Sequence, residues 1–306
     1  VGRPDPAIPD PSSDHDAPYH DGALITSNGV AVPIDPVHAA PLVDSSALRG
    51  NPDAMRRRLG DEGYLFLRGV LDRSRVLEAR QAYFARFDPS YLAAGTEVRD
   101  GIFSGHRPSD LGAHGTIGHP AHDFVRSDAW HDLVSDPVLH GLADDVLGGP
   151  TYLLPRQIVR QFDRSSHRAS RAHVDHTYLD AGSGDVITMW IPLGDCPLET
   201  GPLVYLEGSH RMGGADLAAL RSINDRPDDH RPLSHDLGWV ADRSGRRWRW
   251  ADFRAGDLAI HSPHIVHASL DVRSDAMRLS ADIRFLGRGD RPDPRWLTPW
   301  SGDDGN

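Results

Sequence analysis

Apolar and polar positions change rhythm halfway along the chain. The first half carries helical patterns. Residues 52–59 read as a short helix, and Asp72 is placed to cap a second one running to Phe87 through Val76, Leu77, Ala79, Tyr83 and Phe84. Asp136-Pro137 opens a third, with Val138, Leu139, Leu142, Val146 and Leu147 ahead of a Gly148-Gly149 stop. Between the first two, Tyr64-Leu65-Phe66-Leu67 is a short apolar run flanked by Gly63 and Gly69, the pattern of a buried strand. From Thr151 onward the runs shorten and turn β-rich, at 151–162, 186–193, 203–207, 248–250, 257–261 and 277–285. Many short strands at this spacing predict a sandwich or barrel, with the earlier helices packed on one side.

The ends lack this patterning. Residues 1–45 are rich in Pro, Asp and Ser and read as a loose N-terminal arm; 288–306 read as a C-terminal tail in which Trp296 and Trp300 offer docking points. A single domain over 46–287 lies between them. The stretch 212–239 is long and polar with no strand pattern, the signature of a lid.

Composition narrows the chemistry. The chain of 306 residues has 33 basic residues against 44 acidic ones, a net charge of −11, and all 33 are arginine. Without lysine there is no Schiff-base chemistry and no P-loop. Without a basic stripe, nucleic acid is excluded as the expected partner. Cys196 is the only cysteine, which rules out disulfide frameworks and thiolate metal clusters within one chain. No apolar run approaches about 18 residues, and the first residues lack the order of a secretory signal, so a cytoplasmic protein off the membrane is expected.

Against that background, His173-Val174-Asp175 stands out among 18 histidines. On a strand, residues i and i+2 share a face, so this imidazole and carboxylate form two legs of a divalent-metal site. One more histidine would complete the 2-His-1-carboxylate arrangement of non-haem iron. The 277–285 run alternates strictly: Arg278, Ser280, Asp282 and Arg284 on one face, Met277, Leu279, Ala281, Ile283 and Phe285 on the other. The polar face suits either the inside of a ligand-binding barrel or a solvent-facing surface.

Four blocks together make the chain resemble the phytanoyl-CoA dioxygenase family of Fe(II)/2-oxoglutarate-dependent oxygenases. They are the strand from Gly63 to Leu71, His173-Val174-Asp175, the Thr200–Arg211 block containing Gly201-Pro202-Leu203 and Gly208-Ser209-His210, and His267-Ala268-Ser269 followed 11 residues later by Arg278. The resemblance spans about 59–287. It implies a mainly β fold with flanking helices, a double-stranded β-helix of the cupin-like jelly-roll type. It implies Fe(II) held by His173, Asp175 and His267, with 2-oxoglutarate and O2 as cosubstrates. Arg278 would clamp the far carboxylate of 2-oxoglutarate with help from Ser269; Gln157, or less favourably Gln161, and Trp190 would be further cosubstrate contacts. Two positions depart from the family pattern: Glu207 stands where a proline is usual, and Val174 where glutamine is common. Because Asp175 is present, oxygen insertion, ring closure or desaturation is implied rather than halogenation.

Other residues compete for roles. His261 and His264 rival His267, and the spacing to Arg278 favours His267. His176 would face away from His173, His210 would serve the turn, and Tyr178 and Leu179 would line the pocket. Arg246, Arg247 and Arg249 beside Trp248 and Trp250 read as a solvated hairpin with arginines stacked on tryptophan, and His106, His114, His119 and His122 as surface-loop residues. The expected substrate is a small molecule of bacterial secondary metabolism, cationic or polyhydroxylated in view of the acidic balance, such as an aminoglycoside-type sugar. Rival readings are a redox-inactive metal hydrolase and a non-catalytic binding protein on the same barrel.

Overall fold

In the computed structural model the chain is described over residues 25–112, 114–166, 169–182, 186–221 and 231–301. Its helices start where their caps dictate. Helix α1 (Pro52–Glu62) begins with the Asn51 side chain accepting from the Ala54 amide and ends at left-handed Gly63. Helix α2 (Arg73–Phe84) is capped by Asp72, which accepts from the Ser74 and Arg75 amides. After α3 (Pro120–Phe124) and α4 (Asp128–Val134), α5 (Pro137–Leu147) runs from the Asp136 cap to left-handed Gly148.

The strands are β1 (Ile25–Ser27), β2 (Val30–Val32), β3 (Ala39–Pro41), β4 (Tyr64–Leu67), β5 (Thr151–Leu153), β6 (Ile158–Phe162), β7 (Val186–Pro192), β8 (Leu203–Leu206), β9 (Trp248–Trp250), β10 (Leu258–His261), β11 (His267–Ser269) and β12 (Arg278–Gly287). The run expected at 151–162 is two strands, β5 and β6, separated at Pro155, which has no amide to donate to a ladder. The major sheet has the order β4-β10-β7-β12-β5, with β6 also on β12; the minor sheet is β11-β8-β9-β3. The two face one another as a jelly roll.

Alternation assigns each face. Leu279, Ala281, Ile283 and Phe285 of β12 join Ile187, Met189 and Ile191 of β7 in a core shared with Val76, Tyr83, Trp130 and Leu139 of the helices. On the far side, Val204, Leu206 and Ala268 of the minor sheet pack on α8 (Leu237–Ser244) through Leu237 and Val240. Between the sheets lie Tyr64, Phe66, Trp190, Tyr205 and Phe253. Every residue from Arg278 to Leu286 is buried, so the polar face of β12 points into the barrel rather than to solvent.

The N-terminal end departs from expectation, and the tail docks through its two tryptophans. From Ile25 the expected loose arm is paired. The β1–β2 hairpin docks through the Ser27 hydroxyl, which donates to the Ser269 carbonyl at 2.8 Å, and through Asp271, which accepts from the Asn28 and Gly29 amides. Strand β3 runs parallel to β9. Strands of three residues carry too little periodicity to be read alone, and here tertiary pairing supplies them. In the tail, Trp296 and Trp300 are both buried, and Trp296 Nε1 donates to the Tyr178 carbonyl.

Of the expected lid at 212–239, residues 222–230 lie outside the described residues. The rest includes helix α7 (Gly214–Ala219), the start of α8, and Ser234, which bridges to Ala172 beside the His-x-Asp motif. Among the described residues no helix is long and apolar enough to cross a membrane.

Gly63 has φ +79°, and a Cβ there would lie 2.5 Å from His210 Nδ1, whereas a Cβ on Gly60 meets nothing within 4 Å. Gly63→Ala is expected to cost about 2 kcal/mol or more. Gly60→Ala, in the last turns of α1, should instead add about 0.5–1 kcal/mol. Paired urea melts check both.

Candidate metal centre

His173 and His267 meet because their backbones are a directly opposed antiparallel pair. The His173 amide donates to the His267 carbonyl at 3.0 Å, and the His267 amide to the His173 carbonyl at 2.9 Å. Opposed residues project to the same face, and the ring centroids are 4.1 Å apart. Each ring is oriented from behind. Nδ1 of His173 donates to the Arg171 carbonyl at 2.6 Å and Nδ1 of His267 to the Ile265 carbonyl at 3.0 Å. A carbonyl only accepts, so both Nε2 atoms keep lone pairs directed inward. Burial pushes the His173 imidazole below its ordinary pKa, and burial followed by the nearby His173 pushes His267 well below it; both favour the neutral, ligating form.

Asp175 arrives differently from expectation. It has φ −62° and ψ −29° and leads into α6 (His176–Leu179), so the chain has left the extended conformation. The turn swings the carboxylate back, with Oδ1 3.8 Å from His173 Nε2 and 3.6 Å from His267 Nε2. Oδ2 accepts from the Thr188 hydroxyl at 2.7 Å and from Arg284 Nη2 at 2.9 Å. Burial opposes ionisation of Asp175, but Arg284, then His261 and His267, hold it well below the usual carboxylate range. One atom from each of His173, Asp175 and His267 lies within 4.8 Å of the others. Three acceptor atoms that converge with no donor hydrogen between them form a cation site. Two neutral imidazoles and one carboxylate suit a divalent transition metal.

The Gly208-Ser209-His210 turn positions His267 from outside the barrel. The Ser209 hydroxyl donates to the Leu206 carbonyl and accepts from the Val266 amide, joining the end of β8 to the residue before His267. His210 Nε2 donates to the Gly60 carbonyl at 3.1 Å.

Arg278 is almost fully buried on the inner face of β12. Its Nη1 donates to the Gly201 carbonyl at 2.7 Å, and its guanidinium lies 4.2 Å from the Phe162 ring centre. Its Nε has no partner among the described residues. Burial pushes its pKa down to about 10, which leaves it charged at neutral pH. Ser269, also inward, accepts from the Ser170 amide at 2.8 Å, a bond that does not use its own proton. Trp190 lies across the ladder from Asp282 and packs edge-on against Phe253.

Gln157 is not brought to this face. Its Oε1 accepts from Trp130 Nε1 in the helical layer. Gln161 is on the same outer side, where its Nε2 donates to the Tyr91 hydroxyl and its Oε1 accepts from Tyr83. The register explains this: Phe162, Arg160 and Ile158 pair with Arg278, Ser280 and Asp282, so the even-numbered residues of β6 point inward. Arg160 Nε donates to Asp282 at 2.8 Å.

The competing residues sort clearly. His261 is buried inside the barrel, with Nδ1 2.9 Å from the Tyr205 hydroxyl and Nε2 3.5 Å from Asp175 Oδ2, away from the oxygen that faces the other two histidines. His264 and His176 are exposed and pack ring to ring, tilted by 39° with centres 4.6 Å apart. Tyr178 sits edge-on to His173 with Arg231 on its ring, while Leu179 joins the helical core. The arginines of β9 and its lead-in do not stack on tryptophan: Arg247 and Arg249 ion-pair with Glu207, the residue replacing the family's proline, while Trp248 and Trp250 are buried on the other face. Nor are His119 and His122 surface-loop residues; both are buried, and His119 Nδ1 accepts from the Ala121 amide to start α3. Thr188 carried no signal in the sequence, because one threonine within an apolar strand is ordinary.

A model of the phytanoyl-CoA dioxygenase (PhyH) family matches residues 59–280. The chain belongs to that family, a group of Fe(II)/2-oxoglutarate-dependent oxygenases. It is 24% identical over 269 residues to the 1-deoxypentalenic acid 11-beta-hydroxylase of Streptomyces arenae, a match covering 84% of this chain and 89% of the relative. Among solved structures it is similar to the epimerase SnoN in complex with Fe3+, alpha ketoglutarate and nogalamycin RO, at 21% identity and a TM-score of 0.55 over 80% of this chain and 87% of that one. It is also similar to EvdO2 from Micromonospora carbonacea var. aurantiaca complexed with 2-oxoglutarate, at 21% identity and 0.54 over 86% and 100%. These likenesses establish the jelly-roll fold.

Gln157→Leu is expected to lower stability, by leaving Trp130 Nε1 without its acceptor, and to leave the KM for 2-oxoglutarate unchanged. Ser209→Ala leaves the buried Val266 amide unsatisfied and should cost about 1–3 kcal/mol, with weaker metal binding through the displaced His267. Thermal melts and metal titrations of the two variants read these effects.

Proposed function

We propose that this chain couples the oxidative decarboxylation of 2-oxoglutarate to the oxidation of a small molecule in bacterial secondary metabolism. For a hydroxylation the balance is 2-oxoglutarate + O2 + R–H → succinate + CO2 + R–OH; ring closure and desaturation use the same apparatus. His173, Asp175 and His267 would hold Fe(II), which supplies the oxidising chemistry when bound.

The observation that carries this reading is Arg278. A buried guanidinium with a spare N–H, inside the same barrel as the metal-ligand cluster, is an anion receptor. It suits the far carboxylate of 2-oxoglutarate, with the Ser269 hydroxyl and Trp190 on the same inner surface. A redox-inactive metal hydrolase would have no use for that cation, and a non-catalytic binding protein would have none for three converging acceptors.

For the substrate, the net charge of −11 disfavours a polyanion such as an acyl-CoA thioester at long range, which leaves a cationic or polyhydroxylated molecule. Beyond His267 and Asp175, Tyr178 stands edge-on to His173 with Arg231 on its ring, and Arg160 is neutralised by Asp282. They support the polyhydroxylated class, a sugar-bearing molecule, over a cationic one. The relative from Streptomyces arenae, named for hydroxylating deoxypentalenic acid, supports a natural-product substrate.

Addition of Fe(II) and 2-oxoglutarate to metal-free protein without oxygen is expected to give a visible charge-transfer band that requires both. Arg278→Ala should abolish the band at concentrations that saturate the wild type and raise the 2-oxoglutarate requirement by about 100-fold or more. A wild type that binds iron but shows no band with 2-oxoglutarate would move the hydrolase reading to the front. Succinate release then screens substrates.

A further inference from the structure

Three neighbouring strands aim one residue each at the same oxygen. In the major sheet Thr188 of β7 is directly opposite His261 of β10 on one side and Arg284 of β12 on the other. All three are inward-facing and at least 97% buried. All three converge on Asp175 Oδ2: Thr188 Oγ1 at 2.7 Å, Arg284 Nη2 at 2.9 Å and His261 Nε2 at 3.5 Å. His261 is steadied by Tyr205, whose hydroxyl is 2.9 Å from Nδ1. The other oxygen, Oδ1, is the one facing His173 and His267.

Arg284 differs from the other two because it carries a permanent charge. Its guanidinium lies 4.1 Å from the Trp296 ring centre, and its Nε and Nη1 have no partner among the described residues. Among those residues Asp175 is its only ionic partner. A carboxylate buried between neutral imidazoles would otherwise be an uncompensated charge, which a fold tolerates poorly. A divalent ion on Oδ1 and the guanidinium on Oδ2 would share one negative charge and repel each other.

We propose that Arg284 is a built-in counter-ion for Asp175 and a positioning residue of the metal site: it holds the carboxylate with one oxygen presented before the metal arrives, and in doing so lowers the affinity for that metal. The proposal rests on the metal reading of the His173–Asp175–His267 cluster. It makes the site pre-formed, unlike sites that fold only when metal binds.

The test uses the full chain, stripped with a chelator, and Co(II) alone as the probe, read by its visible absorption and by melting temperature with and without the ion. The wild type should stay folded without metal. Arg284→Gln, which keeps a donor but removes the charge, should bind Co(II) about tenfold or more tightly. Its melting temperature should fall further without Co(II) than with it. Thr188→Val, which removes a neutral donor and leaves the charge, should bind about tenfold more weakly. Opposite signs in the two variants are the signature of a counter-ion. Equal or weaker Co(II) binding by Arg284→Gln overturns the proposal, and so does a metal-free wild type that is unfolded. If Arg284→Gln is unfolded without metal, Co(II) must restore its fold; failure to restore it marks Arg284 as a packing residue and overturns the proposal. A folded wild type that binds no Co(II) removes the metal reading itself, an outcome distinct from all of these.

Discussion

The register of one strand governs the interior. Strand β12 is paired along most of its length, with β7 on one side and β6 and β5 on the other, so its phase cannot drift. A slip of one residue would turn Arg278, Asp282 and Arg284 into the helical core and Leu279, Ala281 and Ile283 into the barrel. Each misplaced charge would lose its partner in a medium that cannot solvate it. Helices α2, α4 and α5 enforce the phase from outside by burying the apolar face with Val76, Trp130 and Leu139. The chemistry inside is therefore fixed by packing on the opposite face.

The site spans both sheets. The two histidines belong to the edge of the minor sheet, where one backbone pair aligns them. The partners of Asp175 belong to the major sheet. The carboxylate is thus the polar tie between the layers, and the geometry of the three acceptors depends on the distance between the sheets. Tyr64 and Tyr205, stacked at 5.1 Å, help set that distance as a spacer of fixed thickness, since aromatic faces resist compression.

Much of this was legible from the chain because the signals were local. Caps at Asp72 and Asp136, the glycine-bounded run at 64–67 and the alternation at 277–285 each carry their physics within a few residues. The choice of His267 over His264 comes instead from the family resemblance, through its 11-residue spacing to Arg278. What was not legible depended on partners far away. The resemblance implies a cosubstrate contact for Gln157, yet the phase of β6 against β12 sends it outward to Trp130. The i, i+2 argument for His173 and Asp175 named the right residues with the wrong conformation, since the chain turns helical at Asp175. The short strands β1 to β3 exist only through docking. Thr188 and Arg284 acquire meaning only when three strands are laid side by side.

Strand β4 lies at the edge of the major sheet, and its ladder partner, β10, begins at Leu258. Nearly the whole domain must therefore leave the ribosome before Tyr64–Leu67 finds its ladder. Until then the emerging polypeptide exposes a fully apolar strand beside half-assembled helices, a species prone to sticking to its neighbours. Such long-range closure implies slow, late folding. Production in a foreign host would accordingly be governed by translation speed and chaperone supply more than by the stability of the finished protein.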